Sequence, residues 1–407
     1  MRFTQLVGTL AFAIAIIVIP MAWADSEYSV LYNFADSRNG GPPLATPALD
    51  ANGNLYGPAA GGTGNSNYCN GPCGVIYGMT RGGDGKWTES VALNVSTYYN
   101  GGWPDSPLVF DRFGSLYGSL SSYWFFQMTP KDSGWAFDLI YEGYGTDVGG
   151  VILDGAGNLY GELGVESEYR TTVGELSPGS AGWVYTNLYN FCEKENCPDG
   201  AEPRAPFSWD SRGNLYGTDY AGGLPCSDGY GCGAAFQMAP NQDGTWAYHV
   251  MHRFGSFKTD GFYPWGGLVV DGEGNAYGTT YEGGPHGHGT VFKLKRTSGG
   301  KWQETMLYGF PNVSLGAYPW GDLVLDKSGN LYGVANGGNT CGSYFCGEVF
   351  KLTPQKNGEW KYSVLHSFKG SDGAYPYGVV IDKQGNLFGT ASSGGKYNTG
   401  VVFEITP

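Results

Sequence analysis

Histidine, carboxylate and cysteine side chains are the groups here that could do chemistry, and most of them are scattered. The 407 residues include 5 His, 8 Cys, 37 acidic and 23 basic residues. His286-Gly-His288 sets two imidazoles at i and i+2, a spacing that could share a metal. No third ligand is evident, so a solvated Gly/His loop is expected. His249 and His252 fall i, i+3 on one extended segment and should point to opposite faces, forming no joint site. The Asp50-Ala-Asn-Gly-Asn run begins like a calcium loop but lacks the distal bidentate Glu. A structural turn is expected there, with structural calcium between blades as the alternative; no cofactor is evident. Asp147, Asp199, Asp260, Asp322 and Asp372 recur at similar places along the chain. They form either a ring of acids or a set of solvated loop residues. G-x-S-x-G, H-E-x-x-H, Walker A and G-x-G-x-x-G are all absent. No residue is assigned a catalytic role.

Aromatic residues form a second candidate set. Trp103-Pro104, Tyr263-Pro-Trp265, Tyr318-Pro-Trp320 and Tyr375-Pro-Tyr377 recur before similar apolar runs. Aromatic faces beside Asp and Asn suit stacking on a sugar ring or contact with an apolar peptide. The competing reading is that Tyr-Pro shapes a turn and packs internally.

What must position these groups is a repeat. Asp50-Ala-Asn-Gly-Asn-Leu-Tyr-Gly57 returns in variant form at 111–118, 154–161, 210–217, 271–278, 326–333 and 382–389. The Asp spacings are 61, 43, 56, 61, 55 and 56, with no helical periodicity between them. Each repeat divides into four short strands. In the fifth these are Gly266–Asp271 (A), Asn275–Thr280 (B), Thr290–Lys295 (C) and Trp302–Phe310 (D). Asp-x-x-Gly-Asn is then a hairpin turn between A and B. Seven such units predict an all-β, seven-bladed β-propeller of four-stranded antiparallel blades. The seventh repeat stops after its strand C at Pro407. Tyr28-Ser-Val-Leu-Tyr-Asn-Phe34 matches the strand D Tyr362-Ser-Val-Leu-His-Ser-Phe368, so the N-terminal strand should complete the last blade. The A–B and C–D turns share one face. The long B–C and D–A loops, which carry the aromatics and every Cys pair, share the other.

Composition bounds the setting. Arg2, an apolar run from Leu6 to Ile19 and Ala22-Trp-Ala24 read as a signal peptide over 1–24, leaving one propeller domain over 25–407. No later run is long enough to span a membrane. Four close Cys pairs, Cys69/Cys73, Cys192/Cys197, Cys226/Cys232 and Cys341/Cys346, read as local disulfides of an exported protein. Net charge is −14, which argues against a nucleic-acid partner. Charged residues are 15% and Gly numbers 70, as short strands and tight turns require.

The Gly-Asn-Leu-Tyr-Gly phrase, Val349-Phe-Lys-Leu-Thr-Pro354 and Val364-Leu-His-Ser-Phe368 resemble the GloVer-type tandem repeat of exported bacterial proteins named for their choice of anchor. The phrase is also similar, over a shorter stretch, to NHL-type and gluconolactonase-type propellers. The resemblance implies export and a propeller, and no established activity. No anchor or sorting helix follows Pro407, so surface attachment is not carried over. The expectation is a secreted, periplasmic or cell-surface monomer that binds glycan or protein at the channel mouth. The alternatives are a channel-mouth lyase, glycosidase or lactonase, and a purely structural repeat protein.

Overall fold

The computed structural model describes residues 26–35, 39–63, 73–95, 102–120, 124–143, 149–163, 171–226, 229–342 and 344–407. The segment expected to be a signal peptide, Cys69 and Asp147 lie outside the described residues. The chain forms seven four-stranded antiparallel sheets, each in the order A-B-C-D. Blade 5 has strands Val269–Val270, Ala276–Thr280, Thr290–Arg296 and Trp302–Gly309. Blade 7 has Ala374–Ile381, Leu387–Ser393 and Val401–Thr406, and its fourth strand is Glu27–Asn33. Tyr28 pairs with Ile405 and Val30 with Phe403, so the expected closure by the N-terminal strand is present. Among the described residues no helix is long and apolar enough to cross a membrane.

The recurring phrase is now explained residue by residue. In blade 6 Asp326 Oδ1 accepts the backbone N–H groups of Ser328 and Asn330, at 2.8 and 2.9 Å. Its Oδ2 accepts from Asn330 Nδ2 at 2.7 Å and Tyr332 Oη at 3.0 Å. Gly329 supplies the left-handed φ of 82° that closes the turn. Asp50 engages its turn in the same manner, through the N–H groups of Asn52 and Asn54 and the Asn54 side-chain amide. Burial works to raise the Asp210, Asp271 and Asp326 carboxyls, but the side-chain and backbone hydrogen bonds outweigh it and hold them below the usual range. Leu331 is fully buried. The tyrosine ring reaches the next blade, where it meets the tryptophan that opens strand D. The pairs are Tyr56–Trp135, Tyr117–Trp183, Tyr160–Trp246, Tyr216–Trp302 and Tyr277–Trp360, with centroids 5.5–6.3 Å apart.

The closing glycine of the phrase is a packing hole. A Cβ at Gly333 would fall 2.7 Å from both Phe350 Cζ on strand C and Leu323 Cδ2 beside strand A. Gly217 and Gly278 lie under Phe236 and Phe292 in the same way. In blades 4 to 7 the strand C ring also receives the phenylalanine that follows strand D of the preceding blade. Phe191–Phe236, Phe254–Phe292, Phe310–Phe350 and Phe368–Phe403 all sit 5.0–5.6 Å apart. Phe34 meets Tyr77 at 5.4 Å across the seam between blades 7 and 1.

The Gly333→Ala variant should therefore lose about 1–3 kcal/mol of unfolding free energy through overpacking, although alanine is ordinarily tolerated in a strand. Pairing it with Phe350→Leu should recover part of that loss. Equal additive losses in a denaturant double-mutant cycle would show that the ring and the glycine are not coupled.

Candidate functional site

The loop face is shaped by a repeated clasp at the entry to strand A. Glu202, Tyr263, Tyr318 and Tyr375 each precede a proline, and each has a left-handed φ between 54° and 60°. A bulky residue before proline avoids this region unless its surroundings impose it. Here the N–H groups of Tyr263, Tyr318 and Tyr375 donate to the carbonyls of Cys232, His288 and Cys346 in the preceding blade, at 2.8–3.0 Å. The prolines then rest on glycines of that blade. A Cβ at Gly233 would lie 2.6 Å from the Pro264 ring, and one at Gly289 would lie 2.8 Å from Pro319. Pro376 occupies Gly347, and Pro43 occupies Gly400 across the closing seam.

This clasp divides the predicted aromatics into two roles. Those before the proline pack between blades. Tyr263 is 8% exposed and stacks on Tyr220 at 5.3 Å. Tyr318 lies against Tyr281 at 5.2 Å, with its hydroxyl 3.3 Å from His288 Nδ1. Tyr375 packs against the core of blade 7. Those after the proline are half-buried. Trp265 meets Tyr220 edge-on at 5.0 Å and Tyr281 at 6.0 Å. Trp320 stacks on Tyr377 at 5.2 Å and donates its Nε1–H to the Pro376 carbonyl at 2.9 Å. Trp103 is the exception among those before a proline, being 36% exposed, and Asp105 holds the post-proline position in blade 2.

Sequence reasoning missed Arg204, Tyr220 and Tyr281. Arg204 holds the post-proline position in blade 4, and its guanidinium lies 4.3 Å from the Tyr220 ring and 5.2 Å from Trp265. It pairs with Glu202 Oε2 at 2.8 Å. The signal was available: Arg204 aligns with Trp265 and Trp320, and both tyrosines stand directly after strand B.

The recurring aspartates do not converge as one ring. Asp199, Asp260 and Asp372 anchor an outer series of interblade pairs. Asp199 accepts from Tyr189 Oη at 2.7 Å, and Tyr189 stacks on Tyr248 at 4.0 Å. His366 bonds Asp372 at 3.1 Å and stacks on Tyr28 at 3.6 Å. Tyr248 and Tyr28 donate to the backbone carbonyls of the same two aspartates. His252 bonds Asp260 at 3.0 Å, and its partner position in blade 5 is Glu304 instead of an aromatic. Asp322 is separate and accepts the Gly267 N–H at 2.6 Å. His286 is exposed while His288 turns to Tyr318, and His249 is exposed while His252 is largely buried. Among the described residues no group of three or more His, Cys, Asp or Glu is arranged to hold a metal.

The disulfides Cys192–Cys197, Cys226–Cys232 and Cys341–Cys346 are formed, and Cys73 is disulfide-bonded. Such short loops gain only roughly 2 kcal/mol each, so the bonds chiefly fix loop shape.

Several carboxyls are held protonation-prone. Burial, then Asp260, pushes Glu304 up to about 7, with His252 pulling the other way. Burial raises Asp219, helped by Asp199. Burial likewise raises Glu348, against the Tyr362 hydrogen bond, and Asp322, against the Gly267 N–H. A folded pKa above the unfolded one gives stability that is full below the unfolded value and lost as pH rises through the folded one. The melting temperature should therefore fall between about pH 5 and about pH 8, and Glu304→Gln should reduce that fall. The depressed Asp210, Asp271 and Asp326 act only below this window, whereas the His366 imidazole, lowered by burial, opposes the fall within it, so the Glu304 contribution is read as the difference between the parent and Glu304→Gln. A pH profile of melting temperature that is the same in Glu304→Gln and the parent chain would contradict the assignment.

The sequence model of the Gloeobacter/Verrucomicrobia repeat matches residues 122–300 and 225–407. No curated protein matches the chain. Among solved structures, a fungal alcohol oxidase of the AA5 family in complex with copper is similar at TM-score 0.57 and 14% identity, covering 94% of this chain and 76% of that one. An ancestral GH74 enzyme is similar at TM-score 0.52 and 11% identity, covering 90% of this chain and 51% of that one. At these identities the likeness is one of fold.

Proposed function

The chain belongs to the Gloeobacter/Verrucomicrobia repeat family, and from that premise we propose that it is an exported binding module that takes a glycan at the loop-face mouth. One observation carries the reading. The post-proline position on four consecutive blades presents Arg204, Trp265, Trp320 and Tyr377. The clasp fixes the backbone of these residues before any ligand arrives, which lowers the ordering cost of binding. Planar aromatic faces beside a guanidinium suit a sugar ring, whose C–H face stacks while its hydroxyls find polar partners. The disulfides support an oxidising compartment. The structural neighbours supply the fold and no residue of this reading.

The test is a panel of neutral and acidic soluble polysaccharides in affinity electrophoresis, with hits titrated by calorimetry. Trp265→Ala and Trp320→Ala should each weaken binding about tenfold. Phe113→Ala, at an exposed position in an A–B turn on the opposite face, should bind as the parent chain does. Retardation by no polysaccharide, or unchanged binding in both tryptophan variants, would refute the proposal.

A further inference from the structure

We propose that the cleft between the loops closed by Cys192–Cys197 and Cys226–Cys232 is a second binding site, separate from the mouth, and that it takes a pyranose sugar residue. The cleft measures about 470 Å³, within the range of small-molecule sites. It adds to the mouth reading without depending on it.

The cleft exists because blade 4 departs from blade 5 at matching positions. Gly200 and Gly261 cover Asp219 and Thr280, the last strand B residues of the two blades, so their entry loops correspond. Blade 5 continues with a short ladder in which Phe262 faces Glu282. Blade 4 reduces it to a single bridge between Ala201 and Ala221. Two large side chains become two methyl groups, and both alanines line the cleft.

Glu202 stands where blades 5, 6 and 7 have the clasp tyrosines. It keeps the left-handed backbone, φ 59°, and among the described residues its N–H donates to Thr171 Oγ1 at 3.4 Å. The conformational cost stays while the aromatic packing is given up. A carboxylate in the cleft wall results, steadied by Arg204. Four of the eight left-handed non-glycine residues among those described, Cys192, Asn196, Cys197 and Glu202, line this one cleft. Clustered outliers of that kind mark sites where geometry is imposed for use. The opposite rim carries Tyr230, 72% exposed. An aromatic face, a carboxylate acceptor, a hydroxyl and an amide around one depression match a pyranose, which stacks by one face and donates from its hydroxyls.

The test uses methyl glycosides of glucose, galactose, N-acetylglucosamine and glucuronic acid, titrated into the full chain by saturation-transfer NMR. At least one should bind. Ala201→Phe, which restores the blade 5 side chain, and Tyr230→Ala should each weaken it about tenfold, while Phe113→Ala, in an exposed A–B turn, leaves it unchanged. If Ala201→Phe does not fold, Tyr230→Ala decides, because its side chain is mostly in water. Three results overturn the proposal: no glycoside binding to the parent chain, equal binding by Tyr230→Ala, or loss in Phe113→Ala with the cleft variants intact. The mouth is judged separately by polysaccharide retardation, so either site can fail without the other.

Discussion

An aromatic ring laid across a glycine is the contact on which this ring of blades depends. The glycine belongs to strand B and the ring to strand C of the same blade, and a phenylalanine from the blade before presses on that ring. Without a Cβ the sheet gains a depression that the ring fills, so each blade carries a flat apolar flank to its neighbour. Blade 3 shows how tightly the volumes are matched. Its strand C has Gly174 where the others have an aromatic, and Tyr185 and Leu163 move into that space. Around this layer lie two others, the tyrosine–tryptophan contacts toward the turn face and the stacked tyrosines and histidine along strand D.

A frame repeated seven times makes exceptions informative. In blades 1 and 7 the end of strand B and the start of strand C bury Ala59 with Val75 and Ala391 with Val401. In blades 3 to 6 the same region buries Glu162, Asp219, Thr280 with Thr290, and Glu348. Buried polar groups need partners, and here tyrosine and threonine hydroxyls supply several of them. Glu202, Arg204, Tyr220, Trp265 and Tyr281 stand above that polar half. The molecule is thus one-sided, and both candidate sites lie on the same arc of blades.

The blade count, the strand order, the closing strand, the loop face and the pairing of the described cysteines were legible in the sequence, because turns and alternating apolar residues record them locally. The final glycine of the phrase reads as part of a strand, and only the ring above it shows its purpose. The aromatics were found but not sorted. Tyr263 and Trp265 are two residues apart and look interchangeable, yet one is a buried clasp and the other stays half-buried beside Tyr220 and Arg204. The difference lies in a backbone angle imposed by the preceding blade, which no local pattern encodes. Arg204 and Glu202 escaped notice because they break the aromatic pattern, and the cleft escaped because it is made of side chains that are missing.

The shared seventh blade has a consequence for how the chain reaches its native form. Asn33 receives the N–H of Lys396, a contact spanning 363 positions. The earliest strand of the propeller to be synthesised must therefore wait for the last. Loop-closure entropy grows only slowly with such a span, so the finished ring is not weakened by it, but the search for that contact is slow. Until the strands of the seventh blade emerge, six blades can stack while the edges of the first and sixth stay open to wrong partners. Closure is then a single late event that converts a string of blades into a ring without edges.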